Sequence, residues 1–145
     1  METILLIHGP NLNILGMRET KHYGVLPLSK IEEIVAEEAR NVGLETKVFQ
    51  SNHEGALIDW IQEQSLKAAG IIINPGALTH YSFALHDALK DTGLPVVEVH
   101  LSKIKAREVW RKRSVTAPAC IKVISGKKEK GYVEAVHVLA KRIAQ

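Results

Sequence analysis

Cys120 is the only cysteine in this 145-residue chain, so neither an intrachain disulfide nor a multi-cysteine metal centre is available, which suits a reducing compartment. Aromatic residues are nearly as scarce: two tryptophans, three tyrosines and two phenylalanines. None is interleaved within the basic runs RKR (111–113) and KKEK (127–130), where a nucleic-acid surface would place stacking rings. The balance of 19 Lys and Arg against 16 Asp and Glu leaves a net charge of only +3. A solvated surface or an anionic small substrate accounts for that excess, and no nucleic acid is expected as a partner. No apolar run approaches the ~18 residues of a membrane span, so no membrane partner is expected either. The opening METILLIHGP lacks the basic segment and the apolar length of a secretion signal, and a cytoplasmic location is expected. Repeats, linkers and low-complexity segments are missing too. A chain of 145 residues with 46% hydrophobic content is therefore expected to form one domain over residues 1–145, near the usual size of ~100–150 residues.

What the sequence does contain is an alternation. Five short runs read as strands: ILLI (4–7), TKVFQ (46–50), GIIIN (70–74), PVVEVH (95–100) and CIKVI (120–124). Most are continuously apolar, as in strands covered on both faces. Helical patterns lie between them. The first opens with SKIE, in which Ser29 can cap and Glu32 can reach back; Leu28, Ile31, Ile34, Val35 and Val42 follow at helical spacing, and Gly43 is the expected stop. The second runs through ALIDWIQEQSLKAA, with Leu57, Ile58, Ile61 and Leu66 on one side. The third, YSFALHDALKDTG, ends at Gly93 just before Pro95. A short helix in AREVWRK and a last one in YVEAVHVLAKRI complete the set. Five alternations predict a doubly wound, flavodoxin-like α/β fold with a parallel sheet of order 2-1-3-4-5. In such sheets ligands bind outside the carboxyl ends of the strands. The polar stretches HGPNLN, SNHEG, NPGALTH and HLSKIKAR follow strands one to four, so all four are expected at one rim.

The residues on that rim suggest proton chemistry. In VEVH, Glu98 and His100 lie two apart on a strand and point the same way, so the carboxylate can fix the imidazole's tautomer and make it a general acid. The same two residues also fit an ordinary buried pair. A metal site is not favoured, because no HxxxH or HExxH spacing is present. Tyr23 lies in a long irregular loop five residues after Arg18. A free tyrosine has a pKa of about 10, so roughly one in a thousand is ionised at neutral pH, and only a nearby cation such as Arg18 or Arg107 would make it a useful base. It fits equally well as a residue pinning a loop. Asn11, Asn13 and Asn74 suit the holding of hydroxyls or carbonyls, although asparagines also fill turns. Arg111 can fork onto a carboxylate or simply be solvated. His53 and His86 are assigned no chemistry. A flavin-binding protein of this fold is disfavoured, since HGPNLN holds no serine or threonine for a phosphate. A phosphoacceptor domain is disfavoured as well, since strand three ends in Asn74 rather than aspartate and strand one brings no acidic pair.

Taken together, GPNLNILG, the RETKHYG loop, QSNHEGALIDWI, INPGALTHYSFALHDAL, VEVHLS, AREVWRKRS and the late GY (131–132) resemble, in order and spacing and over nearly the whole chain, type II 3-dehydroquinate dehydratase. The resemblance implies a flavodoxin-like enzyme that removes water from 3-dehydroquinate through an enolate, with neither cofactor nor metal, in aromatic biosynthesis or in quinate catabolism. It implies Tyr23 as the base, Arg18 as the arginine that keeps the base ionised and Asn11 as the support of the enolate oxygen through a water. His100 becomes the general acid and Glu98 its orienting partner. Asn74, His80, Leu101 through its backbone, Ser102 and Arg111 become the groups that bind hydroxyls and carboxylate, with Arg107 in their positive surroundings. Asp87 is implied to reach a neighbouring subunit's site in a dodecamer, a tetramer of trimers. His8 departs from the family's usual asparagine, and Lys103 and Lys105 from its usual asparagine and histidine. The rival dehydratase chemistry, a lysine Schiff base on a larger barrel, needs a longer chain.

Overall fold

The computed structural model describes residues 1–17 and 26–145. Five parallel strands, β1 (Glu2–His8), β2 (Leu44–Gln50), β3 (Gly70–Asn74), β4 (Val96–His100) and β5 (Lys122–Ser125), pair in the order β2-β1-β3-β4-β5. This is the expected doubly wound order. Among the described residues α1 (Leu28–Asn41), α2 (Glu54–Gln64) and α3 (Phe83–Asp91) link β1 to β2, β2 to β3 and β3 to β4, only 3₁₀ turns lie between β4 and β5, and α4 (Lys130–Ile143) follows β5. No helix among the described residues is long and apolar enough to cross a membrane.

Alternation along the strands divides the core into two layers. Ile4, Leu6, Ile72, Val97 and Val99 face α1 and α4, where they meet Ile31, Val35, Tyr132, Ala135, Val136 and Leu139. Leu5, Ile7, Ile71, Ile73 and Val96 face the other way and meet Leu57 and Ile61 of α2 and Leu85, Ala88 and Leu89 of α3. The central strands β1, β3 and β4 read as continuously apolar because both of their faces are covered. Burying each such aliphatic side chain contributes ~1.5–3 kcal/mol. The outer strands are covered less completely, and Val48 on β2 and Val123 on β5 are partly exposed.

Local details correct the sequence expectations in four places. The helix expected to start with a capping box begins at Leu28, after Pro27 at φ −70° and ψ 161°, and no side chain caps it. Ser29 therefore lies inside the first turn, and Glu32 turns instead toward His8, its Oε2 3.1 Å from His8 Nε2. The second helix stops at Gln64 and tightens into a 3₁₀ turn over Ser65–Lys67. The change of pitch swings Leu66 off the apolar face, and it is exposed. AREVWRK forms only a 3₁₀ turn, Val109–Arg111. Cys120 and Ile121 precede β5 rather than open it. Gly43 and Gly93 do terminate helices, at φ +81° and +70°, the left-handed region in which glycine carries no side-chain penalty.

Candidate functional site

The carboxyl ends of β1, β3 and β4 open onto one cleft. It is lined by Asn11, Asn74, His80, His100, Leu101, Ser102, Arg107 and Arg111, together with Pro10, Leu12, Gly76, Ala77 and Ile104. Eight of the residues singled out in the sequence thus meet at one place, although they come from four separate stretches of chain. Tyr23 and Arg18 lie outside the described residues. Glu98 is not on the cleft wall but behind His100. Asp87 stands on α3, exposed and bonded to His86 Nδ1 at 2.9 Å, away from the cleft of its own chain.

The loops after β1 and β3 hold each other. Gly9 N donates to Asn74 O at 2.8 Å. A side chain at Gly9 would put its Cβ 2.2 Å from Pro75 O, and one at Gly76 would put its Cβ 2.9 Å from Pro10 O. Each glycine is needed because the other loop's backbone occupies the space where its Cβ would be. The loop after β2 adds a third fixing point: Asn52 Oδ1 accepts from Asn11 N at 2.9 Å and from Gln50 Nε2 at 3.2 Å. With its neighbours fixed, Asn11 sits at φ +70°, a conformation that asparagine tolerates better than most residues.

Glu98 and His100 both face the α3 side of the sheet. Glu98 is fully buried, and an unpaired carboxylate there would be strongly disfavoured. Its Oε2 accepts from His100 Nε2 at 2.7 Å, Thr79 Oγ1 at 2.8 Å and Ser114 Oγ at 3.0 Å, while Oε1 accepts from Thr116 Oγ1. Burial alone would raise the carboxyl's pKa; the hydrogen bonds from His100, Thr116 and Thr79 reverse this and bring it below the ordinary carboxylate value. Because a carboxylate only accepts, the proton on this edge of His100 is on Nε2, and Nδ1 is the nitrogen left for chemistry. Thr79, Ser114 and Thr116 were missed in the sequence. Their signal was indirect: a carboxylate on a buried strand needs donors, and the S-x-T spacing of 114–116 supplies two hydroxyls within one short segment.

His80 is set by a different partner. Its Nδ1 lies 2.6 Å from Arg113 O, and since a carbonyl only accepts, Nδ1 carries the proton and Nε2 its lone pair. The ring meets Trp110 edge-on at 5.4 Å. Burial lowers its pKa first of all, and the charges of His100 and Arg111 add to this against the opposing pull of the Arg113 carbonyl. The neutral ring is thus suited to accept a hydrogen bond from a hydroxyl through Nε2. Arg111 bonds to Glu108 through Nε and lies 4.0 Å from the Trp110 ring centre, which holds its guanidinium at the cleft. Among the described residues, no three His, Cys, Asp or Glu side chains gather as a metal-binding group.

A cleft with a neutral imidazole, an arginine and a carboxylate-backed histidine is equipped to bind a hydroxylated anion and to move a proton. Comparison with known proteins agrees in fold and in extent. The family described as Dehydroquinase class II matches residues 2–140. The 3-dehydroquinate dehydratase of Caldicellulosiruptor saccharolyticus is 52% identical over 140 residues, covering 96% of this chain and 97% of that protein. The enzyme of the same name from Clostridium perfringens is 52% identical over 141 residues, with 97% of each chain covered. Among solved structures, a type II dehydroquinase from Butyrivibrio crossotus superposes with a TM-score of 0.92 at 44% identity, covering 95% of this chain and 97% of its own. One from Propionibacterium acnes gives 0.92 at 36%, covering 97% of each.

Proposed function

The chain belongs to the dehydroquinase class II family, and from that premise we propose that it removes water from 3-dehydroquinate to give 3-dehydroshikimate through an enolate. The observation that carries this reading is the His100–Glu98 pair at the carboxyl end of β4, with the imidazole at the cleft and the carboxylate buried behind it. Tyr23, as phenolate, takes the proton from the carbon beside the ketone, with Arg18 favouring its ionised form. The enolate oxygen that forms is stabilised from Asn11 through a bound water, so stabilisation is concentrated where charge develops. The C–O bond of the leaving hydroxyl then breaks as His100 delivers a proton to it, and the enolate electrons close the conjugated double bond. Glu98 stabilises the imidazolium that precedes this step. His80, through Nε2, and Ser102 take the substrate hydroxyls. Arg111, Asn74 and the Leu101 backbone take hydroxyl or carboxylate oxygens, within the positive field of Arg107.

The same reading makes the working particle a homo-oligomer, a dodecamer of four trimers, in which Asp87 meets the site of a neighbouring subunit. The exposed Asp87 carboxylate supports it, as do the exposed Tyr81, Phe83, Val109 and Trp110 beside it and along the cleft edge, surface that association would cover.

The test of the reaction follows the absorbance of the conjugated enone formed from 3-dehydroquinate. His100→Ala should lower kcat by about 10²- to 10⁴-fold, the usual worth of a general acid, with KM changed far less. A variant that lost affinity while kcat stayed near wild type would take the acid role away from His100.

A further inference from the structure

A second polar cluster lies on the opposite face of the sheet from Glu98. His8 and Asn74 are register partners at the ends of β1 and β3. Each lies two residues beyond a member of the α1 and α4 layer, Leu6 and Ile72, so their side chains turn toward those helices. There they meet Tyr132, fully buried on α4. Asn74 Nδ2 lies 3.3 Å from Tyr132 Oη, and Asn74 Oδ1 accepts from Gly76 N at 3.0 Å. His8 closes the cluster with its Nε2 3.1 Å from Glu32 Oε2, off the hydrogen-bond direction.

These contacts determine which way the Asn74 amide faces. A backbone N–H only donates, so the atom at Gly76 is the amide oxygen and the atom at Tyr132 is the nitrogen. The nitrogen donates, so the phenol oxygen accepts. Burial, with the Glu32 charge acting in the same sense, pushes the Tyr132 hydroxyl up to about 12, so the phenol stays neutral and its acceptor strength does not change across the working pH range. One of the two Nδ2 hydrogens is used at Tyr132. The second remains for the cleft, which Asn74 lines.

We propose that Tyr132 is a positioning residue for Asn74: its buried hydroxyl locks the amide so that Asn74 offers the substrate an N–H donor and therefore recognises an acceptor oxygen, that of a carboxylate. The proposal rests on the reading above that Asn74 touches the substrate. Rotation of an unlocked amide would present its carbonyl to that anion, and binding would suffer while the proton transfers at His100, on the opposite face of the sheet, would not. The expected signature is a change in KM with kcat left in place.

Four proteins decide it, each assayed for kcat and KM with 3-dehydroquinate: Tyr132→Phe, Asn74→Ala, the double variant, and Asn74→Asp. Tyr132→Phe should raise KM about 2- to 10-fold, the worth of one neutral hydrogen bond, with kcat within about twofold of wild type. In the Asn74→Ala background the same change should add nothing further to KM. Asn74→Asp leaves Tyr132 intact and keeps the acceptor for Gly76 N while removing the donor, so it should raise KM more than Asn74→Ala does. That variant decides the polarity even if Tyr132→Phe does not fold. If Asn74→Ala raises KM but Tyr132→Phe does not, or if the Tyr132 effect persists without Asn74, Tyr132 positions nothing. An Asn74→Asp enzyme with wild-type KM would mean that Asn74 presents its carbonyl. If Asn74→Ala leaves KM unchanged, the substrate contact at Asn74 is what fails, and the role of Tyr132 falls with it.

Discussion

His100 donates from Nε2 to Glu98 Oε2 at 2.7 Å across two residues of one strand, and the two differ in what else they touch. The histidine reaches the cleft; the carboxylate is closed in by three hydroxyls, those of Thr79, Ser114 and Thr116. An ion held this way cannot relax toward water. Its charge is directed at the imidazole and is protected from screening. The hydroxyl cage also ties β4 to the segment before β5, so the partner of His100 is part of what holds the rim together.

That dual role predicts a pH dependence of stability. The Glu98 carboxyl is held below its ordinary 4.5 in the folded state. The stabilisation this represents is complete above that value and is lost as pH falls through the lower folded value. Urea midpoints of wild type and Glu98→Gln should therefore differ most near neutrality, and the gap should narrow as pH drops below 4.5. A gap of constant size down to strongly acid pH would show that Glu98 acts by shape and not by charge.

His80 should titrate the other way from an acid paired with a carboxylate. Burial, with the charges of His100 and Arg111, holds its midpoint below 6.5. The contribution of its neutral form to stability is full above 6.5 and declines as pH falls through the folded midpoint. Proton NMR of the ring in wild type should give a midpoint under 6.5, and Trp110→Ala, which uncovers the ring, should bring it back toward that value. A wild-type midpoint that stays at 6.5 would show that burial and the neighbouring charges do not act on the ring, and one well above neutrality would leave His80 charged and unable to accept a hydrogen bond from a hydroxyl.

Tyr23 and Arg18 carry the base in the proposed reaction. Bringing a phenol from about 10 to about 7 needs ~4 kcal/mol of preference for the phenolate, more than one exposed charge supplies. Exclusion of water around the bound substrate, with Arg18 and the cleft arginines acting through a lower dielectric, can provide it. Tyr23→Phe should abolish turnover and leave substrate binding largely intact. Arg18→Gln should move the acidic limb of the rate profile to higher pH, because loss of a cation raises the phenol pKa. An active Tyr23→Phe enzyme, or an Arg18→Gln profile lowered without a shift, would assign the proton to another group.

Assembly is accessible to light scattering. The active particle should be at least a trimer, with a dodecamer expected, and Asp87→Ala should lower activity in the intact particle by weakening the contribution of one subunit to the next. Full activity in a monomer would reduce Asp87 to an exposed helix carboxylate paired with His86.

The alternation of apolar strand and amphipathic helix was enough to determine the sheet order, because parallel strands need long crossovers, most of them helical here, and the handedness of those crossovers leaves few arrangements. For the same reason the rim was legible: residues that directly follow strands one, three and four must meet, and Asn11, Asn74, His100, Leu101 and Ser102 do. The two-residue spacing of Glu98 and His100 was likewise sufficient for their bond, since strand geometry alone puts both side chains on one face. Tertiary structure decided the rest. The cage of Thr79, Ser114 and Thr116 and the seat of Asn74 on Tyr132 join residues 16 to 58 positions apart, and no local period encodes which hydroxyl will face which carboxylate. The fate of Glu32 is of the same kind: SKIE has the local form of a capping box with Ser29 as its cap, but the helix starts two residues earlier, at Leu28 after Pro27, and the carboxylate is drawn to His8 on the neighbouring strand. Short-range pattern decides which face a residue occupies; the partner it finds there depends on which elements the folded chain packs against that face.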